Sequence, residues 1–137
     1  MIILWFSSMI SLITFQPSLL EPVSYGSYLG GDRVYVVSIT EKMLEASPEW
    51  KKGTDNPPLS AQKAIEHADK KKATLVKDGK DFQWRLESAS LIPAGKGRWY
   101  WLVKYSQIVR GGGLSGSPRT LRLVVLMNGM VIEPKKE

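Results

Sequence analysis

Three stretches in the second half of the chain have the composition of β-strands, and the first of them alternates apolar and polar residues with a period of two, as a strand with one buried face does. They span 82–92, 99–109 and 121–127, and the last is followed by Asn128-Gly129, a favoured tight-turn pair. Because the strands follow one another directly, sequential antiparallel pairing is the simplest topology. We therefore predict a meander of three neighbouring strands.

A helix is predicted ahead of these strands. Ala61, Ala64, Ile65 and Ala68 have the helical spacing i, i+3, i+4 and i+7. Ser60 comes directly before them and can cap the first turn by accepting a backbone N–H. Since most of the apolar positions are alanine, we expect this helix to approach a sheet closely.

These elements together predict an α+β fold in which one principal helix packs on a curved antiparallel sheet of about four strands. The fourth strand is predicted at 33–39, which is rich in β-branched and aromatic residues; residues 41–46 could extend it or form a helical turn. Three glycines and no periodicity make 24–32 a flexible lead-in. We expect one domain over 33–134 and a polar tail at 135–137.

The N-terminal segment differs from the rest of the chain because residues 1–20 carry no charge and are mostly apolar. We interpret 1–23 as a signal peptide or an N-terminal membrane anchor. The stretch 2–20 is barely long enough to span a bilayer, and a buried N-terminal helix or strand is the alternative. The first two interpretations predict an exported protein of the periplasm, the cell envelope or the medium.

Composition removes several classes of chemistry from consideration. The 137 residues include no cysteine and one histidine, which excludes disulfides, thiolate metal sites and His-rich metal sites. The formal net charge of +6 favours acidic partners. In an exported protein such partners are acidic proteins, anionic membrane lipids or polysaccharides, and we expect no nucleic-acid partner.

Motifs that resemble catalytic sites lack the context that their chemistry needs. Residues 111–116 fit G-x-G-x-x-G, but a proline and a strand follow where a phosphate site needs a helix. Residues 60–63 fit S-x-x-K without its companion motifs, and His67 has no partner at ligand spacing. We therefore predict that the protein is not an enzyme, with no catalytic residue, metal ion or cofactor.

Aromatic residues concentrate in the predicted sheet, where Trp84, Trp99 and Trp101 fall on one face and are expected to form the core under the helix. The alternative is a stacking platform for bases or sugar rings. Tyr100 and Tyr105 fall on opposite faces of their strand, so one of them is expected to be exposed. We include Tyr100 among the candidate contact residues.

Two sets of residues resemble known families. The helix carries S-x-x-x-A-I-x-x-A in Ser60, Ala64, Ile65 and Ala68, and the end of the sheet carries N-G-x-V in Asn128, Gly129 and Val131. With aromatic-rich strands between them, this order resembles PepSY-like domains, small exported bacterial modules. The resemblance implies a non-catalytic domain that binds or restrains proteins, often peptidases.

The second resemblance lies in Gln107, Val109 and Gly111, which fit the Q-x-V-x-G hairpin motif of the cystatins. Gly30-Gly31 is similar to the N-terminal glycines that this family also uses. The motif closes the second strand after the helix here, whereas in cystatins it closes the first. The resemblance implies inhibition of papain-like proteases.

The glycine-rich loop 110–119 is the candidate contact segment, because exposed loops on a rigid sheet often carry binding residues. We predict an exported binding module for an envelope protein or peptide, with a peptidase as one candidate partner. The alternatives are a basic domain that binds anionic polysaccharide or lipid, and a cystatin-like inhibitor. The sequence leaves the oligomeric state open. The candidate contact residues are Gln107, Val109, Arg110, Gly111, Arg119 and Tyr100.

Overall fold

The computed structural model describes residues 23–111 and 119–137, which contain a six-stranded antiparallel sheet and two helices. In chain order the elements are β1 (Val23–Tyr28), β2 (Val34–Ile39), α1 (Glu41–Glu45), α2 (Ala61–Leu75), β3 (Phe82–Gly95), β4 (Arg98–Val109), β5 (Thr120–Leu126) and β6 (Lys135–Lys136). Across the sheet the strands follow the order β3-β4-β5-β1-β2-β6. The prediction of one principal helix on about four strands was therefore wrong.

The predicted helix and the three long strands are confirmed. In α2, the Ser60 side chain accepts a hydrogen bond from the Lys63 backbone N–H at 3.2 Å, as an N-cap does. Ala64 and Ala68 are completely buried against the sheet. Strands β3 and β4 pair along their whole length, apart from irregularities between Leu86 and Ser88 and between Pro93 and Gly95.

The additional strands lie where the sequence predicted irregular chain. The predicted flexible lead-in at 24–32 contains β1, which pairs with β2 from Val23 opposite Ile39 to Tyr28 opposite Val34. Likewise, the predicted polar tail at 135–137 contains β6, which pairs with β2. Both segments form strands because each pairs with one edge of β2. The sequence of either segment alone does not show that β2 is its partner.

Both faces of the sheet bury apolar residues, and this is the main departure from the predicted fold. On one face, α2 covers a core that includes Trp84, Trp101 and Tyr105. On the other face, Met43 and Leu44 of α1 pack against a second core. The second core consists of Val37, Ile39, Tyr100, Val124, Leu126 and Ile132.

Among residues 23–111 and 119–137, neither helix has the length and apolar character needed to cross a bilayer. The predicted signal peptide or anchor covers 1–23. Residues 1–22 lie outside the described residues, and Val23 is the first residue of β1.

Candidate functional site

A small pocket opens at one end of the sheet, on the face that α2 covers. Its volume is about 110 Å³. It lies where β3 begins and β4 ends, beside the β1–β2 turn and the C-terminal end of α2. We call this region the pocket end. The lining residues are Leu29, Arg33, Val76, Lys77, Phe82, Trp84, Gln107 and Arg119.

The side chain of Arg119 lies against the backbone of Gly30. A Cβ atom built on Gly30 would come within 2.6 Å of the Arg119 Cζ atom, which no real side chain tolerates. Gly30 also has a φ of +108°, in a region that L-residues rarely adopt. Glycine at this position therefore allows the turn to form and leaves room for the guanidinium group beside the pocket.

The other cations at the pocket end are Arg33 and Lys77. Arg33 donates a hydrogen bond to the Leu75 carbonyl oxygen at 2.6 Å, which satisfies one of the free carbonyl groups at the end of α2. A guanidinium group has five N–H donors, so others remain for a ligand. Lys77 is exposed and follows the helix directly. The positive charge of the pocket thus comes from three separate chain segments.

The floor of the pocket is built on Trp84, which is buried. Its backbone N–H donates to Asp78 Oδ1 at 2.8 Å. Its carbonyl oxygen accepts from the ammonium group of Lys72, which also lies 5.1 Å from the centre of the Tyr105 ring. Contacts on both its backbone groups therefore hold this residue in place.

The predicted contact residues reach this region from two directions. Gln107 lines the pocket, and its backbone N–H donates to the Arg119 carbonyl oxygen at 3.0 Å. Arg110 is exposed, and its N–H donates to the Asp81 carbonyl oxygen at 2.8 Å. Val109 is half-buried at the end of β4, and exposed Gly111 follows with a φ of +93°. The segment 112–118 of the predicted loop lies outside the described residues.

Tyr100 does not belong to this group, and the prediction that one of two tyrosines is exposed was wrong. Only 2% of Tyr100 and 1% of Tyr105 are exposed. The Tyr100 hydroxyl lies 2.5 Å from the Tyr25 hydroxyl, and the Tyr105 hydroxyl donates to Asp69 at 2.5 Å. The pKa of both phenols is raised well above its usual range. Burial is the largest cause, and the hydrogen bonds are the second.

The opposite face of the sheet carries a second group of cations, which we call the basic face. Lys104 and Arg122 are directly opposite each other on β4 and β5, an arrangement that is destabilising between like charges. Glu87 lies beside them and forms an ion pair with Lys104 at 3.4 Å. The pKa of the Glu87 carboxyl is lowered by a hydrogen bond from Ser106 first, and then by Lys104 and Arg122. The basic face consists of Arg85, Lys104, Arg122, Tyr28 and Ile108.

Within the described parts of the chain, no three His, Asp or Glu residues are grouped so that they could hold a metal ion. The carboxylate of Asp78, next to the lining residue Lys77, accepts a hydrogen bond from the backbone N–H of Trp84. The arrangement at the pocket end offers positive charge, one carboxamide and an aromatic floor. These groups can bind a ligand.

Six of the eight lining residues were not among the predicted contact residues. Leu29 and Arg33 reach the pocket through the β1–β2 hairpin, Val76 and Lys77 through the end of α2, and Phe82 and Trp84 through the start of β3. The one local signal was Gly30-Gly31, a pair that permits a tight turn between two strands.

No family model, curated protein or solved structure matches this chain. The resemblances to PepSY-like domains and cystatins therefore stay predictions, carried by the residues given above.

Proposed function

We propose that this protein is an exported, non-catalytic binding module of the cell envelope and that it holds a protein or peptide partner at its pocket end. One observation carries the proposal. Gln107, Arg110 and Arg119, which were selected from sequence as contact residues, lie at one end of the sheet, where Gln107 and Arg119 line a pocket.

The hydrogen bonds that hold Arg33 and Trp84 at this end support binding. Arg119 lies on Gly30, Arg33 is held by Leu75, and Trp84 is held through its backbone. Groups that are ordered before the partner arrives lose less conformational entropy on binding. The pocket end can therefore bind with little rearrangement. A peptidase is the partner class that the PepSY-like resemblance favours.

The proposal is tested by capture of envelope proteins on the immobilised, tagged chain. We expect the charge reversal Arg110→Glu/Arg119→Glu to abolish capture of the specific partner, because both cations lie at the pocket end. The matched control is Arg85→Glu/Arg122→Glu, which makes the same change in net charge on the basic face. Equal loss of capture in the two variants would contradict a specific site at the pocket end.

A second candidate function is binding to an anionic polysaccharide or lipid surface through the basic face. The observation that favours it is the placement of Lys104 directly opposite Arg122, with Tyr28 and Ile108 both more than a third exposed. Glu87 compensates part of this positive charge, because it pairs with Lys104 and its pKa is lowered by Lys104 and Arg122; an anionic surface would compensate the rest.

The dependence of binding on ionic strength distinguishes the two candidate functions. Exposed charges are screened within about 3 Å at 1 M ionic strength, against about 10 Å at 0.1 M. Binding to vesicles of anionic lipid or to a sulfated polysaccharide should therefore vanish at high salt and in Arg85→Glu/Arg122→Glu. Capture at the pocket end, which has an apolar floor, should persist in part.

A further inference from the structure

We propose that the pocket binds a carboxylate group of the peptide partner, with the guanidinium group of Arg119 as the principal contact. This inference rests on the proposed function and names the chemical group that the pocket end recognises.

The charge of the lining favours an anion. Arg33, Lys77 and Arg119 are three of its eight residues, and no aspartate or glutamate is among them. Within the described residues, the guanidinium group of Arg119 has neither an ion-pair nor a hydrogen-bond partner, and the carboxamide of Gln107 has no hydrogen-bond partner. Both side chains can therefore donate to a ligand. Arginine presents two parallel N–H donors that match the two oxygens of a carboxylate.

The size and the walls of the pocket select the kind of anion. Apolar side chains supply the other half of the lining, from Leu29, Val76, Phe82 and Trp84. A volume of about 110 Å³ is somewhat smaller than the roughly 150 Å³ cavity that accommodates a benzene molecule. The pocket therefore suits a carboxylate on a short apolar stem better than a fully hydrophilic anion such as phosphate. A peptide offers this chemistry at its C-terminus and in an acidic side chain.

The close approach of the Arg119 side chain to Gly30 allows a direct structural test of the inference. Gly30→Ala places a methyl group within 3 Å of the Arg119 guanidinium atoms and forces that side chain to move. Gly31→Ala is the matched control, because Gly31 also has a positive φ, of +60°, but no atom lies within 4 Å of the added methyl group. Both variants strain the same turn, Gly30→Ala more than Gly31→Ala because a φ of +60° lies in the left-handed region open to L-residues and +108° does not, and only the first displaces Arg119.

The experiment follows the backbone amide resonance of Trp84 by NMR in the full chain during titration with small probes. N-acetyl-leucine presents a C-terminal carboxylate, and N-acetyl-aspartic acid α-amide presents a side-chain carboxylate. We expect a saturating shift with at least one of them, and the stronger binder identifies the source of the group. N-acetyl-leucinamide, which lacks the charge, should give no saturating shift.

The variants then assign the shift to the pocket. Arg119→Gln and Gly30→Ala should weaken the binding of the acid by about tenfold or more, as expected when a hydrogen-bonded charge contact is lost. Gly31→Ala and Arg85→Gln should leave it unchanged. Equal binding of the neutral amide, equal or tighter binding of inorganic phosphate, or full binding by Arg119→Gln would overturn the inference.

Failure of this inference can be told apart from failure of the proposed function. If the acids bind at Trp84 and the envelope capture shows no partner, the pocket assignment stands and the proposed function falls. If capture depends on Arg110 and Arg119 but is neither competed by N-acetyl-leucine nor weakened in Gly30→Ala, the function stands and the carboxylate assignment falls.

Discussion

The two ends of the β3–β4 hairpin use their polar groups in different ways. At the turn end, formed by Lys96 to Arg98 and the segment 47–55, Arg98 forms an ion pair with Glu49 and donates to the Ser47 carbonyl oxygen. Trp99 donates to the Trp50 carbonyl oxygen at 3.0 Å. At the pocket end, the side chain of Arg119 has no such partner among the described residues. Cations that already have partners support the fold, whereas unpaired ones can bind a ligand.

The largest effect on the free energy of unfolding is expected in the core between the two ends, where a substitution changes stability without removing a residue that lines the pocket. Trp101 is buried, and its indole N–H donates to the Leu59 carbonyl oxygen at 2.9 Å. Trp101→Ala should lower the free energy of unfolding by about 3–5 kcal/mol, because it opens a cavity and leaves a carbonyl group unpaired. Urea unfolding measures the loss. A loss below about 1 kcal/mol would contradict the placement of Trp101 in the core.

The next effect concerns pH and the buried tyrosines. Their pKa values are raised in the folded protein, so the unfolded chain binds fewer protons above its own pKa near 10. Stability is therefore complete below pH 10 and falls above it, by up to about 1.4 kcal/mol per pH unit for each tyrosine. Tyr105→Phe should reduce this slope in urea unfolding at pH 9 to 11. An unchanged slope would contradict the burial of Tyr105.

A smaller effect sharpens the comparison of the two ends. Arg98→Ala should lower the free energy of unfolding by about 1–2 kcal/mol, because it removes a hydrogen bond of a partly buried arginine to a backbone carbonyl and its ion pair with exposed Glu49. Arg119→Ala should change it by less than about 0.5 kcal/mol, because no polar partner is lost. Thermal and urea unfolding of both variants decide the matter. A larger loss of stability in Arg119→Ala than in Arg98→Ala would contradict the distinction between a structural end and a binding end.

The smallest effect belongs to the basic face. The pKa of Glu87 is lowered below 4.5 in the folded protein, so its contribution to stability is present above pH 4.5 and is lost as the pH falls through the folded value. Glu87→Gln should remove this component. The melting temperature of the variant should therefore fall less steeply than that of the parent between pH 5 and pH 3. Parallel curves would show that Glu87 makes no such contribution.

The elements predicted from sequence are those whose pattern is local. A period of two located β3, apolar and aromatic content located β4 and β5, and a period of 3.6 residues located α2. β1 escaped prediction because Ser24, Gly26 and Ser27 weaken its pattern and because its pairing with β2 stabilises it. Tyr100 was placed on the correct face of its strand, but periodicity could not show that α1 and Ile132 cover that face.

The candidate site was predicted in part for the same reason. Gln107 and Arg119 were selected from a motif and a loop, both of which are local features. Arg33 joins them because the strand order β5-β1-β2 in the sheet places the β1–β2 hairpin beside β5. Lys77 joins them because α2 ends at the same place. A pocket assembled from five segments has no signature in any one of them.

The central claim, that the partner contacts the pocket end, is tested most directly by site-specific photo-cross-linking of the full chain in cells that produce it. One cross-linker is placed at exposed Lys80, between the pocket residues Lys77 and Phe82, and the other at exposed Lys96, at the turn end. We predict a discrete cross-linked product from position 80 and none from position 96. The same product from both positions, or from position 96 alone, would contradict the account.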